Sequence, residues 1–527
     1  MTETTSTGSR PVAVIDIGAS AIRLRIAEIS ADGAVRNLES LHQAVRLGKD
    51  AFSTGHIQAA TVEECIKVLA GFRRVMVEYG ITRDDQIRAV ATSALREADN
   101  RAAVLDRLYM STQINVEVIE GAEENRLTYI AVQDVLEHEP RLKVKEAVII
   151  DVGGGSTELL LLQEGRITYA QSYRLGALRM RETLETYRAP ADRVRSILDQ
   201  HIRHAVDQIR RTTPVGQVRH LIGVSGDAQF AAALLAPDWP QVRVSRLDGA
   251  AFTALAEKLV PLPVDDLVRA YRLPYQGAET IGPGLLAYAH LARAFQVNEL
   301  IVPKCSLRDG LLKEMAAPGA WTQQYTEQVV HAVMSLGRKY QVDEKHAQHV
   351  AELSVRLFRE LQPEHQLDRR FELLLRIAAL LHEVGNFISD RSHHKHSMYI
   401  ILNSELFGLA KRDLTLIALI ARYHRRAMPR PYHEEFQLLD RDSRIAVLKL
   451  ASILRVADAL ERNHMQLVRE LKFSREKGQF LITVKGVGDL TLERLALREK
   501  GDLFEEVYGL KPALRAARPT REVTGDG

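Results

Sequence analysis

Near the N-terminus the apolar positions fall in short β-branched runs, and beyond the middle of the chain they take up helical spacing. VAVIDIG from Val12 and LRIAEI from Leu24 read as strands flanking a tight turn, since each run is short and bounded by small or polar residues. A second pair follows about 135 residues later, AVIIDVG from Ala147 and LLLL from Leu159, around another Gly/Ser turn. Each hairpin carries an aspartate, Asp16 or Asp151, near the end of its first strand. Between the copies, residues 57–78, NRAAVLDRLYMS and AEENRLTYIAVQDVL have the spacing of amphipathic helices, whereas IRAVATSA and INVEVIEG read as strands. The last of these helices opens on Glu123 and Glu124, as a helix N-terminus favours. This alternation predicts α/β lobes.

Glycine in such a turn lets backbone N–H groups approach an anion, and an adjacent aspartate can hold a cation or a water. One Asp-x-Gly turn is ordinary hairpin chemistry. Two copies, each heading an α/β stretch, predict paired lobes that present a phosphate loop apiece. Such lobes resemble the ribonuclease H-like architecture of actin, Hsp70 and sugar kinases. After a helix ending near Met315, Pro318 and Gly319 break the pattern, and the chain is mostly helical beyond them. Residues 471–512 read as a strand pair, FLITVKG and DLTLERLAL, followed by a helix; the final AARPTREVTGDG is expected to be disordered.

Composition narrows the function classes. The chain has 527 residues with 46% apolar and 26% charged side chains, which predicts a soluble protein of several domains. Lys and Arg number 71 against 68 Asp and Glu, so no global field points to nucleic acid or an anionic membrane, and a polyanion site must be local. Cys65 and Cys305 are the only cysteines, which excludes a disulfide framework and fits a reducing compartment. Residues 1–10 lack the apolar core of a signal peptide, no run is long enough to span a membrane, and a cytoplasmic location is expected.

The ordered blocks ATSALREADN, VEVIEGAEENRLTYIAV, VIIDVGGGSTELLLL, SYRLGALRM, LIGVSGDAQ and LRDGLL resemble those of the exopolyphosphatase and guanosine pentaphosphate phosphohydrolase (Ppx/GppA) family, over roughly residues 12–315. A further similarity runs from about Asp343 to Arg426. The resemblance implies hydrolysis of a terminal phosphoanhydride, of inorganic polyphosphate first and guanosine pentaphosphate second, with Mg2+ or another divalent cation, in a homodimer. By position it implies that Glu124 is the general base and Glu158 a second essential carboxylate. Asp16, Gly18 and Ser20 would belong to the first phosphate turn; Gly153, Gly154, Gly155, Ser156 and Thr157 to the second; Arg96 and Gly226 would also meet substrate. Asp151 and Glu158 would hold the metal.

Three loops depart from the family. The first turn, usually DxGSNS, runs Asp16-Ile17-Gly18-Ala19-Ser20-Ala21; Asp227 follows Ser225 and Gly226 where the family carries Thr; and PKCSLRDG has Lys304 and Cys305 in place of Asp and Gly. These changes keep open a second reading, a catalytically weakened sensor of polyphosphate or an alarmone. A kinase on the same architecture is a third, for which no matching block is present.

In the C-terminal half, His349, His382 with Glu383, His396, His424 and Asp458 follow the order of the HD phosphohydrolase superfamily. Glu383 stands where that superfamily has Asp, so an HD-like domain without an active metal centre is expected. The basic cluster of Arg422, His424, Arg425, Arg426 and Arg430 offers an alternative role in polyanion binding. The expected organisation is a first lobe over 11–135, a second over 136–317, an HD-like helical domain over 322–470 and a small α/β piece over 471–512.

Overall fold

A computed structural model describes residues 9–137, 145–186, 193–213, 218–317, 323–425, 427–430 and 432–517. The breakers Pro318 and Gly319, Arg426 and the tail from Arg518 lie outside these residues. The chain divides into two compact units: residues 1–325 with 405–408, and residues 326–404 with 409–527.

The first unit contains two mixed sheets. In the first, β1 (Arg10–Ile17), β2 (Ala21–Ile29), β3 (Val35–Ala44), β4 (Ile87–Ala91) and β5 (Val116–Val118) take the order β3-β2-β1-β4-β5. The first three strands form an antiparallel meander, and β4 and β5 add in parallel. The second sheet repeats this plan with β6 (Ala147–Val152), β7 (Thr157–Gln163), β8 (Arg166–Tyr173), β9 (His220–Gly223) and β11 (Glu299–Pro303) in the order β8-β7-β6-β9-β11. The strand β10 (Val244–Asp248) adds an antiparallel edge. The sequence repeat is thus a repeat of topology, which accounts for the common placement of Asp16 and Asp151.

β1 is apolar at nearly every position because both of its faces are covered. Ala13, Ile15 and Ile17 pack in one cluster with Leu24 and Leu69; Val12 and Val14 pack in another with Leu127, Leu311 and Leu312. The second cluster involves the helix Leu307–Ala316, which the sequence reading assigns to the second lobe. This helix returns to the first sheet, where Arg25 pairs with Asp309 at 2.5 Å and Arg10 donates to the Met315 carbonyl. It also crosses the helix Gly121–Glu137 so closely that a Cβ on Gly310 would lie 2.2 Å from the Leu127 carbonyl oxygen. Glycine is required there by contact. The helix Gly121–Glu137 is thereby held against both sheets, contacting β7 and β8 as well.

The second unit is mainly helical, built on Glu344–Glu360, Arg370–Leu381, His393–Leu402, Lys411–Arg422 and Arg441–Leu460. It ends in a three-stranded sheet of β12 (Glu470–Glu476), β13 (Gln479–Lys485) and β14 (Lys511–Ala516). The sequence reading expects only a strand pair there, placing DLTLERLAL in the second strand. From Thr491 on, those residues instead lie in the helix Thr491–Lys500, whose leucines follow helical spacing. β14 pairs in parallel with β13 and includes Ala516, the first residue of the segment expected to be disordered. The fully buried Arg455 ties the helices to this end of the unit, donating to the carbonyls of Tyr423 and Ala427 and to Asp502, each at 2.7 Å. No helix among the described residues is long and apolar enough to cross a membrane.

Candidate active site

The two hairpin turns close identically. The Gly18 amide donates to the Ala21 carbonyl at 3.0 Å, and the Gly153 amide donates to the Ser156 carbonyl at 2.9 Å. In each turn the following carbonyls are tied back: Ala19 and Ser20 accept from Gly48 and Val45, while Gly153 and Gly154 accept from Ala177 and Leu178. Arg179 Nε holds the Gly155 carbonyl at 2.7 Å. With those carbonyls engaged, the amides of Ala19, Ser20, Gly154 and Gly155 carry no hydrogen bond among the described residues. Consecutive unpaired amides make an anion-binding concavity. The turns meet tip to tip, since a Cβ on Gly154 would come within 3.0 Å of the Ala19 Cβ.

Strand register places the charged groups. Asp16 lies opposite Arg23 across β1 and β2, and Asp151 lies opposite Glu158 across β6 and β7. Directly opposed residues share a face of the sheet, so the repeat sets Arg23 in the first hairpin where the second has Glu158. Arg23 Nη1 is 3.6 Å from Asp16 Oδ2. Glu124, in the first turn of the helix Gly121–Glu137, accepts from Arg96 Nη1 through Oε2 at 3.0 Å, and the same Nη1 donates to the Ile119 carbonyl. Glu158 is buried and accepts from Ser172 Oγ through Oε1 at 3.0 Å.

The electrostatics show that these carboxyls occupy one space. Burial, then the Glu158 carboxylate, lifts Glu124 well above the usual carboxylate range, against the pull of Arg96. Burial and Asp151 lift Glu158, opposed by Ser156, Arg96 and Ser172. Asp151 is pushed up to about 7 by burial and by Glu124, Asp16 and Asp227. Asp227, near the start of the helix Gly226–Leu235, is pushed up to about 7 by burial, with Arg23 as its opposing charge. Its carboxylate lies against the helix carrying Gly284, where a Cβ would stand 2.0 Å from Asp227 Oδ2. These five carboxyls outnumber the guanidinium groups that oppose them, Arg23 and Arg96.

Beside the carboxyls is a cavity of about 410 Å³ lined by Arg96, Arg174, Glu97, Glu120, Ser156, Ser172 and Glu405. Glu97 accepts from Arg174 and Arg179, one on each oxygen, at 2.5 Å. Glu405 accepts from the Ser172 amide at 2.8 Å, and burial holds its carboxyl above the usual range.

Of the residues named from the sequence, Asp16, Glu124, Asp151 and Glu158 converge, Arg96 holds Glu124, and Ser156 lines the cavity. Thr157 is fully buried and donates its hydroxyl to the Leu175 carbonyl, so it supports the turn from behind. Gly226 is exposed at its helix start with open space around it. Sequence reasoning missed Arg23, Ser172, Arg174 and Glu405. Superposing the two repeats would have found Arg23, while Ser172 and Arg174 lie in or beside the quoted block SYRLGALRM. Glu405 is distant in sequence and carries no signal.

A divalent cation fits the donor set, which is all oxygen, enclosed and short of positive charge. Asp151 and Glu158 are directly opposed across β6 and β7, and among the described residues they belong to no group of three His, Cys, Asp or Glu ligand atoms within 4.8 Å of one another. Mg2+ is commonly held by one or two carboxylates together with water and substrate phosphates.

Residues 26–318 match the family model described as the Ppx/GppA phosphatase family, and residues 330–500 match its domain III. The chain is 25% identical to the guanosine-5'-triphosphate,3'-diphosphate pyrophosphatase of Aeromonas hydrophila, over 84% of this chain and 86% of the relative. It is 27% identical to exopolyphosphatase 2 of Mycobacterium tuberculosis, over 58% of this chain and 98% of the relative. A crystal structure of an exopolyphosphatase from Cytophaga hutchinsonii shares the fold, with a TM-score of 0.52 at 23% identity over 58% of this chain and 98% of that one.

Proposed function

The chain belongs to the Ppx/GppA phosphatase family, and from that premise we propose that it hydrolyses the terminal phosphoanhydride of inorganic polyphosphate, with guanosine pentaphosphate as second choice. The observation that carries this reading is the convergence of Glu124, Asp151 and Glu158 in front of two turns whose amides are unpaired. Phosphoryl transfer needs in-line placement of a nucleophile and stabilisation of charge on the equatorial oxygens, with little covalent work for the protein. The amides of Ala19, Ser20, Gly154 and Gly155 take the terminal phosphoryl oxygens, and Arg96 and Arg174 take the following phosphates of the chain. Arg96 occupies Glu124 Oε2, so Oε1 is the atom that orients the attacking water and accepts its proton. A divalent cation, Mg2+ first, would be held by Asp151 and Glu158 and would supply counter-charge to the phosphoryl group.

The same reading carries a homodimer, a cytoplasmic location, and a second unit that is an HD-like helical domain closed by a small α/β piece. Asp227 beside Asp151 favours a second reading, a relative that binds polyphosphate or an alarmone with little turnover. Phosphate release from long-chain polyphosphate and, separately, from guanosine pentaphosphate, with Mg2+, tests both. Faster release from polyphosphate is expected. Faster release from the pentaphosphate would reassign the substrate, and binding without release from either would leave the sensor.

A further inference from the structure

The second unit contains a cluster of imidazoles, several of whose nitrogens are buried without a hydrogen-bond partner. His382 is fully buried; its Nδ1 lies 2.7 Å from the Ala379 carbonyl, which can only accept, so the proton is on Nδ1 and Nε2 carries a lone pair. That Nε2 has no hydrogen-bond partner and lies 3.9 Å from Asp458 Oδ1. His346 is 1% exposed, neither of its nitrogens has a partner, and its Nε2 is 3.9 Å from Glu383 Oε2. His424 Nδ1 donates to the Ala421 carbonyl at 2.6 Å, which turns its Nε2 lone pair inward, 3.1 Å from His393 Nε2. His393 Nδ1 in turn points at the Asp390 carbonyl at 3.3 Å, so with both Nδ1 atoms donating, the two Nε2 lone pairs oppose one another.

Buried polar atoms left without partners are rare, because each forfeits its hydration. Nitrogen–oxygen gaps of 3.9 Å are too long for hydrogen bonds. They suit two ligands of one cation, since bonds of ~2.1 Å place neighbouring donors roughly 3–4 Å apart. The ligand atoms of His346, His382 and Glu383 lie within 4.8 Å of one another, as do those of His382, His424 and Asp458. One imidazole nitrogen ligates one ion, so the two trios share His382 Nε2, and the trio with His424 and Asp458 is the one buried throughout. The carbonyl contacts of His382 and His424 are the outer hydrogen bonds that fix a ligating tautomer. Lys500 engages Asp458 Oδ2 and leaves Oδ1 toward His382.

We propose that the second unit binds one divalent transition-metal ion through His382, His424 and Asp458, the fully buried trio, with His346 and Glu383 beside the same histidine. The imidazole-bearing set selects Fe2+, Co2+ or Zn2+ over Mg2+. The longer Glu383 side chain reaches the cluster, and the proposal departs from the expectation of a domain without an active metal centre. The site is independent of the hydrolytic reading of the first unit.

The test uses the full chain, stripped with chelator and titrated with Co2+. The proposal predicts about one tight equivalent with paramagnetically shifted exchangeable imidazole N–H resonances, retained in excess Mg2+; a carboxylate-only site gives no such resonances. His382→Gln and, separately, Asp458→Asn, each checked for native circular dichroism, should weaken this binding at least tenfold. Absence of the shifted resonances in the native chain overturns the proposal whether or not the variants fold. Undiminished binding in both folded variants overturns it as well.

Discussion

Glu124 combines a low-dielectric position with a single ion-pair partner, and burial holds its carboxyl well above the usual carboxylate range. A general base must be ionised to act, so phosphate release should rise with pH along a limb well above the ordinary carboxylate value. Because Arg96 lowers the pKa of Glu124, Arg96→Met should move that limb to higher pH as well as raise KM; a pH–rate profile of the two proteins checks this. Asp227 offers a separate test through stability. Its folded pKa of about 7 stands above its usual 3.8, so protonation favours the fold. That contribution is complete below the unfolded value and is lost as pH rises through the folded one. Asp227→Asn should therefore unfold at a higher temperature than the native chain near pH ~8, by the equivalent of up to about 4 kcal/mol, with the gain shrinking as pH falls and little left below pH ~4. At this scale the sequence was readable only where a residue sat in a patterned block. Glu124 and Asp151 did, whereas Arg23 reached the site through strand register and Glu405 through tertiary contact.

The turns are the elements on which phosphate binding rests, and their glycines are fixed by neighbours. A Cβ on Gly155 would lie 2.3 Å from both Phe52 Cζ and Ser93 Oγ. Gly155→Ala should displace the second turn, with a stability loss of about 1–3 kcal/mol in urea unfolding and a weaker affinity for polyphosphate. At the cavity, Glu405 sets a negative charge among groups that meet a polyanion. Glu405→Gln should lower KM for polyphosphate, with the gain shrinking at high salt as Coulombic repulsion is screened. The hairpins were legible because a short β-branched run ending in Asp-x-Gly has few alternatives. The helix Leu307–Ala316 was not, since no local pattern tells which sheet a helix returns to, and DLTLERLAL was misread because its alternating start hides helical spacing.

Two compact units, each with its own buried apolar residues, argue against a single all-or-none unfolding transition for a chain of this size. Thermal unfolding should resolve more than one step, with Mg2+ and phosphate raising the step of the first unit and Co2+ raising that of the second. The division into α/β and helical halves was visible in the change of apolar spacing after Met315, but the attachment of 405–408 to the first unit and of the C-terminal strands to the helices depends on long-range packing. The central claim is that the whole arrangement places Glu124 to activate water on a bound phosphoanhydride. It is tested most directly by phosphate release from long-chain polyphosphate with Mg2+ in the native chain and in Glu124→Gln, alongside equilibrium binding of the same substrate. The account predicts rapid release by the native chain and a loss of roughly 10²–10⁴-fold in the variant with binding retained. Equal rates in the two proteins would contradict it.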